Sequence, residues 1–180
     1  MTLLAPTRFT EESSHAVNVA AALARKRKEP LVLAHVLPQG ILRSFQQLES
    51  AASAALSSEA TRLNETGVQT SVAILHGKLE AELARCAIDS GARLAIVGDS
   101  ARPYHPLRGG TLERLVKAID LPLMVVRDER PFEAWTRGER KLKVTLALEP
   151  HAESLAARDW VGKLAEYGEI ELTAVRIWWP

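Results

Sequence analysis

Apolar residues along this chain alternate between two rhythms. Short continuous runs at 3–5, 31–37, 68–75, 94–97 and 121–126 are bounded by Pro, Gly or charged residues and read as strands. Longer stretches between them place apolar residues three or four positions apart and read as helices. The first helix opens at Thr10, a side chain suited to the N-cap, with Glu11 and Glu12 in its first turn, and runs to about Lys28. Its core face is Ala16, Val19, Ala20, Leu23 and Ala24. The second spans 44–66 with Leu48, Ala52, Leu56 and Leu63 on one side and ends at Gly67. The third, 79–90, is stopped by Gly91, and the fourth carries Leu112, Leu115, Val116 and Ile119. Strands apolar almost throughout, separated by four helices, predict an α/β fold: an open five-stranded parallel sheet with helices on both faces, Rossmann-like in architecture. Ligands of such sheets sit at the carboxyl ends of the strands, where Arg8, Leu37, His76 and Asp99 fall.

The pattern continues past this unit. Residues 129–141 are charged, contain Pro131 and Gly138, show no sustained period and read as a linker. A strand at 142–148, a helix at 153–167 and a strand at 171–178 then form a partial second β-α-β unit, so the chain divides into 1–128, 129–141 and 142–180. A gapless shift of 141 positions lays Glu12 on Glu153, Ser13 on Ser154, Ala16 on Ala157, Leu23 on Leu164 and Leu31 on Leu172. Agreement of element type, period and identity points to an internal duplication. Two strands and one helix cannot bury their own apolar faces. The tail is therefore expected to pack on the first unit or another chain, or to belong to a longer tandem protein. The four tryptophans all lie in the linker and tail, where they read as packing residues.

Composition narrows the function. With 180 residues, 47% hydrophobic and 25% charged, the chain can bury a full core. A net charge of +1 supplies no field that would draw it to nucleic acid or a membrane surface. No apolar run approaches the ~20 residues of a membrane span, and the amino terminus lacks the basic start and long apolar centre of a signal peptide. A soluble cytoplasmic protein is expected. The basic run Arg25, Lys26, Arg27 and Lys28 reads as a solvated helix end that offsets the dipole, rather than a nucleic-acid patch. The single cysteine, Cys86, shares helical spacing with Leu79 and Leu83 and reads as a buried small hydrophobe. The five histidines show no metal-ligand spacing, so no metal site is expected.

The candidate chemistry gathers between 98 and 111. Gly98, Gly109 and Gly110 allow close backbone approach, and the helix that begins near Thr111 offers free N–H groups, a combination suited to an anion or phosphate. An ordinary loop and cap is the plainer reading. Arg8, Arg102, His105 and Arg108 could gather beside Thr111 as a cationic mouth. Alternatively, Arg8 pairs with Asp99 and fills the space. Catalytic readings fare poorly. Gly98-Asp99-Ser100-Ala101 opens like a nucleophile elbow, but the closing glycine is absent and Pro103 and Pro106 oppose an immediate helix. Neither G-x-x-x-x-G-K-[ST] nor G-x-G-x-x-G occurs. His35 and His76 read as structural, and the chain is not expected to be an enzyme.

The stretch from Pro6 to Ser13, PTRFTEES, resembles the first strand-to-helix turn of the universal stress protein family, with Arg8 where that family usually has Asp. LVLAHVLP at 31–38 resembles its second strand, and 94–127 its carboxyl-terminal half. The similarity covers 1–128, and the tail resembles the start of a second copy. It implies a five-stranded parallel sheet, dimeric or tandem association, and adenine-nucleotide binding, ATP or AMP. Carried onto this sequence, the site is Pro6, Thr7, Arg8, Gly98, Ala101, Arg102, Arg108, Gly109, Gly110 and Thr111. The ATP motif is degenerate: Ala101 stands in place of the second glycine, Gly110 arrives one residue early, and Thr111 keeps the hydroxyl. The resemblance implies a regulatory binding module; the alternative is a structural module that assembles by edge-strand pairing. Self-association through the strand from Leu121 to Val126 and through the carboxyl-terminal unit is expected.

Overall fold

The computed structural model describes residues 2–38, 45–99, 110–148 and 152–176. Two compact units divide the chain, unit 1 being Met1–Glu129 and unit 2 Arg130–Pro180.

Unit 1 is an open parallel sheet in the order β3-β2-β1-β4-β5. The strands are β1 (Thr2–Pro6), β2 (Leu31–Leu37), β3 (Thr70–His76), β4 (Ala92–Gly98) and β5 (Leu123–Val126), and every neighbouring pair runs parallel. Helices α1 (Glu11–Arg27), α2 (Phe45–Glu65), α3 (Leu79–Asp89) and α4 (Thr111–Ala118) cover it. Successive side chains of a strand point to opposite faces, so the apolar strands feed two cores. Leu4, Val32, Ala34 and Ala95 meet Leu83, Cys86 and Ala87 of α3 and Leu115 of α4 on one face. On the other face lie Leu3, Ala5, Leu31, Leu33, Leu94 and Ile96, against the buried Ala16, Val19, Ala20 and Leu23 of α1. Each fully buried Leu or Ile contributes about 1.5–3 kcal/mol by leaving water. Both cores together explain why these strands lack the polar alternation of a half-exposed sheet. Burial also pushes the Cys86 thiol pKa up, in keeping with its place as a core residue.

Helix ends shift some boundaries. Val68 is buried but is not in β3, because its N–H closes the end of α2 by donating to Leu63 O at 3.1 Å, while Gly67, at φ +83°, donates to Asn64 O. The strand therefore starts at Thr70 rather than 68. At the other edge, Leu121 and Pro122 precede β5, which is only four residues long. Glu129 closes the unit, held by Asn18 Nδ2 at 2.6 Å and lying 3.4 Å from His15 Nδ1 on α1.

Unit 2 contains α5 (Arg130–Thr136), β6 (Leu142–Leu148), α6 (Ala152–Leu164), a short 3-10 turn and β7 (Ile170–Arg176). Residues 129–141, expected to be a linker, thus carry a helix. Pro131 sits in its first turn, where its missing N–H removes no helical bond. Trp135 is 1% exposed and donates Nε1–H to Glu169 O at 2.8 Å. β6 and β7 pair in parallel, with Val144 opposite Leu172. In unit 1, Leu3 stands opposite Leu31. Each pair joins residues 28 apart, and the two pairs are related by the 141-residue shift seen in the sequence. No helix among the described residues is long and apolar enough to cross a membrane.

Candidate functional site

The carboxyl ends of β1 and β4 lie side by side, since Leu3 pairs with Leu94 and Leu4 with Ala95. At the end of β1, the Thr7 N–H donates to Ala34 O at 2.8 Å and the Thr7 hydroxyl accepts the Phe9 N–H at 3.1 Å. The turn is closed by Ser13, whose Oγ accepts the Thr10 N–H at 3.0 Å and donates to Thr10 O at 2.8 Å. Thr10 Oγ1 accepts the Ser13 N–H in return, completing a capping box at the start of α1. The spacing of Thr10 and Ser13 carries this signal, although a serine replaces the usual acid or amide. Phe9 adopts a left-handed backbone (φ 58°) and sets its ring 4.7 Å from that of His35. His35 Nδ1 lies 2.8 Å from Thr7 O. A carbonyl only accepts, so Nδ1 carries the proton in that bond. The strained Phe9 and the ring contact were not foreseen from the sequence, because both depend on the pairing of β1 with β2.

Gly98 ends β4 and faces α1. A Cβ there would stand 2.1 Å from Glu12 O and 2.9 Å from Ser13 N. The absent side chain therefore lets the first turn of α1 settle on the strand end. This places Gly98 beside the Thr7–Ser13 turn, where its glycine character serves helix packing. Asp99 follows, its N–H donating to Val126 O at 3.1 Å. Its carboxylate is held by Arg127, with Nε and Nη2 both 2.9 Å from Oδ2. The expected Arg8–Asp99 pair does not form. Register explains the difference: Gly98 is opposite Val126 in the β4–β5 ladder, so the next residues, Asp99 and Arg127, emerge together. Arg8 is exposed and has no ion-pair partner among the described residues.

Gly110 is the N-cap of α4 and supplies no side-chain cap, while Thr111 is the first helical residue. Arg114 Nη2 lies 3.5 Å from Thr111 Oγ1, and the same guanidinium is paired with Glu80 of α3. That pairing holds the Glu80 carboxyl below its ordinary pKa, with the Arg114 hydrogen bond as the largest cause. Pro6, Thr7, Arg8 and Gly98 are thus brought together by strand pairing, and Gly110 and Thr111 open α4. Ala101, Arg102, His105, Arg108 and Gly109 lie outside the described residues. Among the described residues, no cluster of His, Cys, Asp or Glu could hold a metal ion.

Residues 1–127 match the universal stress protein family. The chain belongs to that family. Solved structures of other universal stress proteins share the fold of unit 1. One from Burkholderia pseudomallei superposes with a TM-score of 0.58 at 19% identity, covering 69% of this chain and 94% of that one. A universal stress protein in complex with cAMP gives 0.61 at 18% identity, covering 71% and 97%. A family member from Arabidopsis thaliana with AMP bound gives 0.54 at 14% identity, covering 71% and 92%. At these identities the likeness is one of fold. No curated protein sequence matches the chain.

Proposed function

We propose that unit 1 is a regulatory binding module that takes an adenine nucleotide, ATP or AMP, at the carboxyl ends of β1 and β4, without being an enzyme. The observation that carries this reading is the open cation at the tip of β1. Arg127 satisfies Asp99, so Arg8 is left exposed beside a strand end where ligands of parallel sheets bind. Gly110 and Thr111 add uncapped N–H groups at the start of α4, which favour phosphate. The complexes of two relatives with cAMP and AMP support an adenine nucleotide as the ligand class. With Arg8 in place of the usual acid and Ala101 in place of the second glycine, the phosphates are held by charge more than by glycine wrapping. Ala101, Arg102, Arg108 and Gly109 belong to the same proposed site. A cytoplasmic location is part of this reading.

Calorimetric titration of the full chain with ATP, AMP, cAMP and inorganic phosphate tests it. Saturable binding of at least one adenine nucleotide is expected, weakened at least tenfold in Arg8→Asp if the arginine holds phosphate. No saturable heat at millimolar nucleotide sinks the reading.

A second reading rests on β5. Among the described strands this four-residue strand pairs only with β4, and an edge position suits pairing with a second copy. On this reading the module assembles through the region 121–126 and needs no nucleotide.

A further inference from the structure

The turn that carries Arg8 also carries an aromatic surface that phosphate binding does not use. Phe9 is 45% exposed, and it is the one exposed aromatic side chain among the described residues. A ring left in water forgoes the burial it would gain in a core. Its backbone is left-handed at φ 58°, a conformation that bulky residues adopt rarely and at a cost. Strain of this kind persists only where the surroundings over-determine it, and ligand clamps are one such place. Here the Phe9 N–H is held by the Thr7 hydroxyl at 3.1 Å, and the next residue, Thr10, is tied into the capping box of α1.

The ring is fixed as well. The His35 ring centre lies 4.7 Å from that of Phe9 at a tilt of 36°, and His35 is itself oriented by the bond between Nδ1 and Thr7 O at 2.8 Å. Two rings in contact, both anchored to the tip of β1, form a platform whose side away from His35 is left to solvent. A rigid aromatic face of this kind fits another flat π system, and stacking takes a base without reading its edges.

The place of the platform suits a nucleotide. His35 belongs to β2, Phe9 follows β1 and Gly98 ends β4, and these three strands are consecutive in the sheet in the order β2-β1-β4. Neighbouring strands lie about 4.8 Å apart, so the tips of β2 and β4 are separated by about 10 Å, the scale on which a nucleotide carries its base away from its phosphates. Arg8 stands at the middle strand.

On the reading that unit 1 takes an adenine nucleotide, we infer that Phe9, backed by His35, is the stacking platform for the purine base. The base is then recognised by its aromatic face, and the phosphates by Arg8 and the start of α4.

Calorimetric titration of the full chain with AMP and with ribose 5-phosphate, which lacks the base, tests this in wild type, Phe9→Gly and Phe9→Tyr. Glycine removes the ring and suits the left-handed backbone, so the turn keeps its conformation. AMP binding should weaken about tenfold in Phe9→Gly and stay at the wild-type level in Phe9→Tyr, while ribose 5-phosphate is indifferent to both. In the wild type, AMP but not ribose 5-phosphate should move the Phe9 ring-proton resonances upfield, as a stacked base does. An AMP affinity unchanged in Phe9→Gly, an equal loss for both ligands, or ring resonances unmoved by bound AMP would each overturn the inference and leave the nucleotide reading standing. A wild-type chain that binds neither ligand would overturn both.

Discussion

The first β-α-β of unit 1 and that of unit 2 have the same parallel register but different surroundings. In β1 and β2 nearly every side chain is apolar, and both faces lie under helices. In β6 and β7 lysine, glutamate and threonine alternate with aliphatic residues, and Leu172 and Val175 stay 49% and 41% exposed. The pairing of two strands through one helix is therefore set by residues inside the β-α-β itself. How apolar those strands are follows from how many layers cover them. All four tryptophans lie in unit 2, so indole fluorescence follows that unit alone while circular dichroism follows both.

The largest separation of the two units should come from Trp135→Ala. The indole is fully buried, bonded to Glu169 O and packed on Gly168, where an added Cβ would stand 2.6 Å from Nε1. Its loss should cost unit 2 about 3–5 kcal/mol, seen as early unfolding in the fluorescence of the remaining tryptophans, with the main dichroism transition of unit 1 unmoved. Gly98→Ala should do the reverse. Its methyl meets backbone of α1, which cannot turn aside as a side chain can, so unit 1 should lose about 3 kcal/mol while tryptophan fluorescence reports an unchanged unit 2. Ser13→Ala sharpens the contrast at smaller scale. It removes the hydroxyl that closes the β1–α1 turn, and unit 1 should fall by about 1–2 kcal/mol in denaturant titration. The smallest change should be stabilising. Lys28 caps α1 at φ 55°, and glycine relieves that conformation at some entropic cost, so Lys28→Gly should add about 0.5 kcal/mol to unit 1.

The boundaries of β2 and β6 were legible because each is a continuous or alternating apolar run with breakers or charge at its ends. The α/β class followed from their succession. The start of β3 was less legible, because Val68 looks like a strand residue while its N–H is committed to the end of α2. The helix at 130–136 was hidden for a related reason. It is too short for a period to show, and it is anchored by one tryptophan to a carbonyl 34 residues away. In the site, Thr10 was legible as an N-cap, and Gly98 as a glycine that allows close backbone approach where a side chain would intrude. What that approach serves, and the capture of Asp99 by Arg127 in place of Arg8, required knowing which strands are neighbours and in what register.

The most direct test of the binding account is an amide nuclear magnetic resonance titration of the full chain with AMP and ATP. Saturable shifts confined to Arg8, Phe9, His35, Gly98, Asp99, Gly110, Thr111 and the intervening loop are the predicted result. Shifts absent at millimolar nucleotide, or centred on residues of unit 2, would contradict it.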